Sequence, residues 1–311
     1  MKAAKWIMGS ITVLVVCAVV GVIIMSAVMG NKARNAFKEE TKSKAKSSYV
    51  EKQNDVSEQF YSVYIQAAKD MAVNIQSSSD DVCHISYFDS DEVSHQIFVQ
   101  DGSLVMTCTD ERTFGSDIGF GDDPYIVVEL PSKRYREISL ISDSGQISIS
   151  QSVRCSSLDV TENSGRLFVS NVDADEMNVT TESGSVSMAT VVAKNLIFEG
   201  KSGDLSVINV DADTVSFSVG DGRFEGYNIV ASGKALYTSV RGDMLIDGCD
   251  GALMEFDSQK GDVQLSLFKP KKIEAVSQSG KTELPEQTVT STGSCVVNTD
   301  SGDITIKYVE G

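Results

Sequence analysis

A glycine that follows a turn-forming pair recurs through the chain at Gly145, Gly165, Gly184, Gly203, Gly222, Gly242, Gly261, Gly280 and Gly302. The intervals are 19 or 20 residues, with 22 before the last. A regular period of this size marks a solenoid or repeat array. Aligned on the glycine, positions −7 and −5 are apolar in all nine units, from Ile138 and Leu140 to Cys295 and Val297. Position +2 fails only at Thr282, +4 only at Gly226, and +7 only at Ser152 and Gln287. A composition that is 41% apolar does not supply columns this clean by chance.

The spacing −7, −5, then +2, +4 is alternation with period two, the pattern of strands with one buried face. Each unit reads as a strand, a Ser-Gly turn, a second strand and a connecting corner. Two short strands are too few for a propeller blade, which needs four. They suit one coil of a β-solenoid, in which neighbouring coils pair along the axis over a continuous core. The pentapeptide NVDAD occurs at 171–175 and again at 209–213. It reads as a reused corner, with Val172 and Val210 in the core and the Asn and Asp residues forming the turn. Stacking also brings Ser144, Ser164, Ser183, Ser202, Ser279 and Ser301 into register as a hydroxyl ladder.

The expected fold is therefore mainly β: a β-solenoid of about nine coils over residues 132–311, with an N-terminal transmembrane helix and a helical neck. Residues 1–30 form the anchor. From Trp6 to Gly30 there is no charged residue, and that run of 25 exceeds the roughly 20 needed to span a bilayer. This predicts a single-pass membrane protein, held by residues 6–30. Its orientation has two readings. Lys32, Arg34, Lys38, Lys42, Lys44 and Lys46 follow the span, which by the positive-inside rule keeps the body in the cytoplasm. A short basic N-terminus with Lys2 and Lys5 is also how an exporting signal anchor begins.

Residues 31–81 read as a basic, then amphipathic, helical neck. Residues 31–76 lack Gly and Pro and are rich in helix formers. Val56, Phe60, Val63, Tyr64, Ala67, Met71 and Ile75 fall at helical spacing on one face. Residues 82–131 read as a β-rich cap, with a hairpin turning at Asp101-Gly102 and a strand closed by Pro131. At the other end the last coil leaves an unpaired strand edge, a surface for end-to-end self-association.

The net charge is −17, and residues 1–50 carry +6, which leaves −23 for the rest. An acidic body excludes nucleic acid as a partner, and a basic neck suits an anionic lipid surface. None of the six cysteines forms a CxxC pair, which argues against a zinc ribbon or redox motif. Cys249 and Cys295 occupy core positions and read as buried, unreactive thiols. Pairing of Cys83 with Cys108 stays open. The two histidines, His84 and His95, lie outside the repeats, with nothing nearby to suggest a hydrolytic triad. Asp173/Asp175 and Asp211/Asp213 read as structural turns rather than a calcium site. Arg241-Gly242-Asp243 falls at a glycine corner and reads the same way. No catalytic, cofactor-binding or metal-ligating residues are therefore assigned, and the chain is expected not to be an enzyme.

The stretch LPSKRYREISLISDSGQISIS (130–150), followed by SGDLSVINV and SGDITIKYV, resembles the bacterial putative-adhesin β-strand-repeat family, domain of unknown function 4097. The resemblance covers about residues 82–311. It implies a membrane anchor carrying a β-helical domain, and it implies no catalytic residues. The chain departs from the SGD pattern at DGR (221–223), RGD (241–243) and KGD (260–262). The expected role is a cell-surface binding, adhesin-like or scaffold module facing an unknown protein or cell-surface ligand. The alternative is a cytoplasmic-facing structural or envelope-stress regulatory scaffold. An enzyme acting on glycans ranks third.

Overall fold

The computed structural model describes residues 49–112, 124–286 and 291–309, all in one of the two units into which the chain divides. The apolar run at 6–30 and the basic stretch after it lie outside the described residues. Among the described residues no helix is long and apolar enough to cross a membrane.

The described part is mainly β. The N-terminal strands are β1 (Val50–Val56), β2 (Ser62–Gln66), β3 (Met71–Ser77), β4 (Cys83–Asp89), β5 (Val93–Gln100), β6 (Ser103–Asp110) and β7 (Tyr125–Leu130). The repeats follow as β8 (Arg134–Ile149), β9 (Val153–Ser202), β10 (Leu205–Asp221), β11 (Phe224–Ala231), β12 (Lys234–Arg241), β13 (Met244–Asp250), β14 (Leu253–Lys260) and β15 (Val263–Leu267). The last are β16 (Lys272–Ser277), β17 (Thr282–Glu283), β18 (Ser294–Ser301) and β19 (Ile304–Tyr308). Parallel pairing with unit-to-unit register holds the repeats together: Ile138 pairs with Leu158, Gly145 with Gly165, and Val215 with both Leu196 and Ala235. The apolar columns read from the sequence form one core, within which the buried Tyr237 and Phe256 rings stack with centroids 4.4 Å apart.

The coils of β9 and β10 have three sides, not two. The pairing of β9 with β10 breaks at Asn209, Asp213 and Gly220, which mark three corners. Asn209 turns the chain with a left-handed φ of 54°, a conformation Asn tolerates. After it, Val210 and Ala212 face inward on a short third wall, and Asp211 faces out. Asn171, Val172 and Ala174 repeat the arrangement. NVDAD is thus a corner plus a whole wall.

The helical neck is corrected over its described part. Residues 50–56, 62–66 and 71–77 are strands. Val63, Met71 and Ile75 satisfied a helical face, but their spacings of eight and four are also even. Ile65 and Val73, outside that face, complete an alternating buried set. Val63 and Ile65 pair with Ile138 and Leu140, and Val73 and Ile75 with Ile147 and Ile149. Residues 60–77 are therefore a coil in register with the repeats.

A second coil comes from the predicted cap. Leu104 and Met106 of β6 pair beside Val63 and Ile65, and Ile126 and Val128 of β7 beside Val73 and Ile75. The stacking order is thus β6/β7, then β2/β3, then β8, although β2/β3 comes first in sequence. Beyond it, β5 forms the expected antiparallel hairpin with β6, and β4 and then β1 extend the other wall.

The opposite end shows the same exchange. Both β14 and β16 pair with β18, so Cys295 lies between Met254 and Ile273. The coil of residues 294–308 is inserted, and β16/β17 is the end coil. Its open edge explains why the +2 column fails at Thr282, an exposed position with no core to complete.

Each exchange requires a connection that skips one coil, and each places a lysine there. At 131–133, Lys133 Nζ donates to the Phe60 carbonyl at 2.6 Å and lies over the Phe60 ring. At 268–271, the buried Lys271 Nζ donates to the Gly251 carbonyl at 2.7 Å and pairs with Asp250 at 2.5 Å.

Candidate binding surface

The residues with chemical potential are occupied structurally. His84 is held between carboxylates, 2.7 Å from Asp55 and 3.1 Å from Asp80, and its hydrogen bond to Asp55 raises its pKa despite some opposing burial. The buried His95 places Nδ1 2.8 Å from Asp89, which also accepts from Lys52 at 2.6 Å. An Asp-His pair supplies two of the three members of a hydrolytic triad. Here His95 Nε2 is buried with no hydrogen-bond partner. Cys108, opposite His95 on the partner strand, has its thiol pushed up to about 11, chiefly by burial. A thiol at that value is a poor nucleophile.

The acidic corners do not gather. Arg134 binds Asp173 and Asp175 at 3.1 Å each, and Lys194 binds Asp175 at 2.8 Å. Asp213 accepts from the Ser232 hydroxyl at 2.9 Å. Among the described residues no group of three or more His, Cys, Asp or Glu side chains is placed to hold a metal. The Arg-Gly-Asp triplet is also engaged: Arg241 pairs with Asp221, and Asp243 accepts the Asp262 amide at 2.9 Å. Cys83 and Cys108 are free thiols. Cys249 and Cys295 are buried, and burial lifts both thiols, Cys295 to about 12.

The repeated serines do not bond to one another. Ser164, Ser183, Ser202 and Ser279 donate to main-chain carbonyls of the adjacent coil, at 3.0 to 3.4 Å. Elsewhere on the outside, polar pairs link neighbouring coils. Asn178 donates to Asp159 at 2.8 Å, Asn195 to Glu176 at 2.7 Å, and Lys201 to Glu182 at 2.6 Å.

One part of the outer surface gathers aromatic side chains. Phe98, Val105 and Tyr64 lie side by side across β5, β6 and β2, on the face opposite the buried Leu104 and Val63. Phe98 is 41% exposed, and nearby Tyr61, beside Gly102 at the hairpin turn, is 55% exposed. In the same column the coils beyond carry Ser139 and Asp159. Sequence reading missed this row because Tyr64 was assigned to a helical seam. The signal was there in SVYIQ, where Tyr64 alternates with Val63 and Ile65.

With this geometry in view, the family model described as Toastrack DUF4097 matches residues 63–225 and 194–311, well over half of the chain. The chain belongs to the Toastrack DUF4097 family. The match begins at Val63, inside the extra coil that the repeat period had not revealed. A crystal structure of a putative adhesin from Parabacteroides distasonis shares the Toastrack fold of this chain, with a TM-score of 0.52 at 10% identity, covering 85% of this chain and 98% of that one. A putative adhesin from Bacteroides fragilis is matched at a TM-score of 0.43 and 15% identity, covering 84% and 97%. No curated protein matches the Toastrack chain significantly.

Proposed function

We propose that this chain is a membrane-anchored, non-enzymatic β-solenoid that acts as an adhesin-like binding module on the outside of a bacterial cell. The observation that carries the reading is the apolar row of Phe98, Val105 and Tyr64 with Tyr61 beside it, which brings two exposed aromatic rings, Phe98 and Tyr61, together at one hairpin. Exposed aromatic side chains supply large contact area at low entropic cost and are enriched where proteins bind. The Parabacteroides distasonis protein of the same fold is described as a putative adhesin, which supports a binding role. In this reading residues 6–30 supply the anchor, and the partner is a protein or another cell-surface ligand.

A second reading keeps the body in the cytoplasm as a structural or envelope-stress scaffold. It is favoured by the six Lys and Arg residues between Lys32 and Lys46. The two separate by protease treatment of intact cells carrying a C-terminal tag. Digestion of the tag while a cytoplasmic control survives supports the surface module; survival until lysis supports the scaffold. On the surface reading, Phe98→Ser with Tyr64→Ser lowers adhesion or partner capture at least tenfold with the fold intact. Unchanged capture by that variant removes the apolar row from the proposal.

A further inference from the structure

The position three residues before the corner glycine faces the interior. Ser142, Thr181, Ser239 and Thr299 are buried there. The Ser142 hydroxyl donates to the Ser144 carbonyl, Thr181 to Ser183, and Ser239 to Gly242, each at 3.2 Å. These three meet a carbonyl of their own corner, and Thr299 reaches the Gly261 carbonyl of the neighbouring coil.

The coil between Ser142 and Thr181 carries Glu162 at this position. It is 1% exposed, and neither carboxyl oxygen has a hydrogen-bond partner. Its Oε1 lies 2.9 Å from the point where a Cβ on Gly165 would sit, and the Gly145 carbonyl oxygen lies 2.0 Å from that same point. Two acceptors thus border the space that the glycine leaves open. Charged groups at the turns of the flanking coils are already engaged. Asp143 faces Lys69 at 3.6 Å and accepts from Asn163 at 2.8 Å, and Glu182 pairs with Lys201.

A neutral carboxyl has one O–H to donate, as the flanking hydroxyls have; an ionised one only accepts. We propose that Glu162 is a proton-operated latch in the stack: neutral, it closes the interior hydroxyl column, and ionised, it loosens the coil of residues 153–169 from its neighbours. The electrostatics agree. Burial pushes the carboxyl up to about 7 and the Asp143 charge adds to it; the nearby Ser142 hydroxyl, turned to the Ser144 carbonyl, opposes the rise without cancelling it. A carboxyl raised in the folded state holds a proton that the unfolded chain has released. Its stabilisation is complete below 4.5, falls as the pH rises, and is spent above about 7.

The test is urea unfolding of the full-length chain from pH 4.5 to 8.5, for the wild type, Glu162→Thr and Glu162→Gln. Threonine restores the hydroxyl of the flanking coils, and glutamine keeps the size without the charge. The unfolding constant of the wild type, relative to either variant, should rise on the order of a hundredfold across this range and level off above about pH 7. Amide exchange at residues 163–166 should quicken over the same range in the wild type alone, beyond the intrinsic pH effect. A constant ratio between wild type and both variants overturns the proposal. So does exchange at 163–166 that changes alike in all three.

Discussion

At the glycine corner three residues divide the work of turning one coil while stacking it on the next. The serine donates to a carbonyl of the neighbouring coil. The glycine leaves room: a Cβ on Gly203, at φ +109°, would lie 1.9 Å from the Gly184 carbonyl oxygen. The aspartate accepts an amide of the next coil, as Asp262 does from Asp303 at 2.8 Å. Gly203→Ala should therefore cost about 1–3 kcal/mol from backbone strain alone, with the clash added, read as a lower urea midpoint. Asp262→Ala should cost about 1 kcal/mol, and Asp262→Asn, which keeps an acceptor, clearly less; equal losses would show that the hydrogen bond is not what matters. The glycine and apolar columns were legible because they repeat. The serine partners were not: hydroxyls on strands about 4.8 Å apart are too distant to bond each other, whereas a neighbouring carbonyl is within reach. Asn209 and Asn171 were read as turn residues, which they are, but the wall that follows each was hidden because Val-Asp-Ala is too short to show a period.

At the scale of elements, residues 60–77 show how a short apolar pattern can serve two periods, since spacings of four and eight fit helix and strand alike. The full set of Val63, Ile65, Met71, Val73 and Ile75 separates them, and tertiary pairing with β8 then outweighs the helix propensity of the neighbouring residues. The exchanged end coils were beyond a sequence reading for a different reason. Coils that share one register can stack in more than one order, and repetition carries no record of which is used. The traces that remain are the wider interval of 22 before Gly302 and the polar Thr282. The crossing connections depend on their lysines. Lys271→Met should leave Asp250 with Lys269 as its remaining ion pair and the Gly251 carbonyl without this donor, costing about 3 kcal/mol. Exposed Lys272→Met, by contrast, should leave the unfolding midpoint nearly unchanged, because its pairing with Glu274 is a surface one.

Over the whole molecule, ionisable groups work against each other as the pH changes. The Arg112 guanidinium holds the Asp110 carboxyl below its usual range. Burial opposes the same effect at Asp250, yet Lys269 and Lys271 hold it low. Carboxylates lowered in the folded state give stability that is present above their unfolded pKa and lost as the pH falls through the lowered values. His84, raised by Asp55, works in reverse: its contribution is complete below 6.5 and is lost as the pH rises through the raised value. Thermal unfolding should therefore peak on the mildly acidic side, at about pH 5, and fall on both flanks. His84→Ala should flatten part of the alkaline flank and leave the acid flank unchanged. A peak at pH 8 or above would contradict these assignments.

The inserted coil of residues 294–308 also has a consequence in time. A ribosome delivers residues 272–283 before the layer on which they must rest. Until 294–308 emerges, β16 and β17 have no neighbour of the native arrangement, and the coil of β14 and β15 is exposed on that side. This end of the stack cannot be laid down one layer after another as the chain is made. It closes only once the younger segment has taken its place beneath the older one.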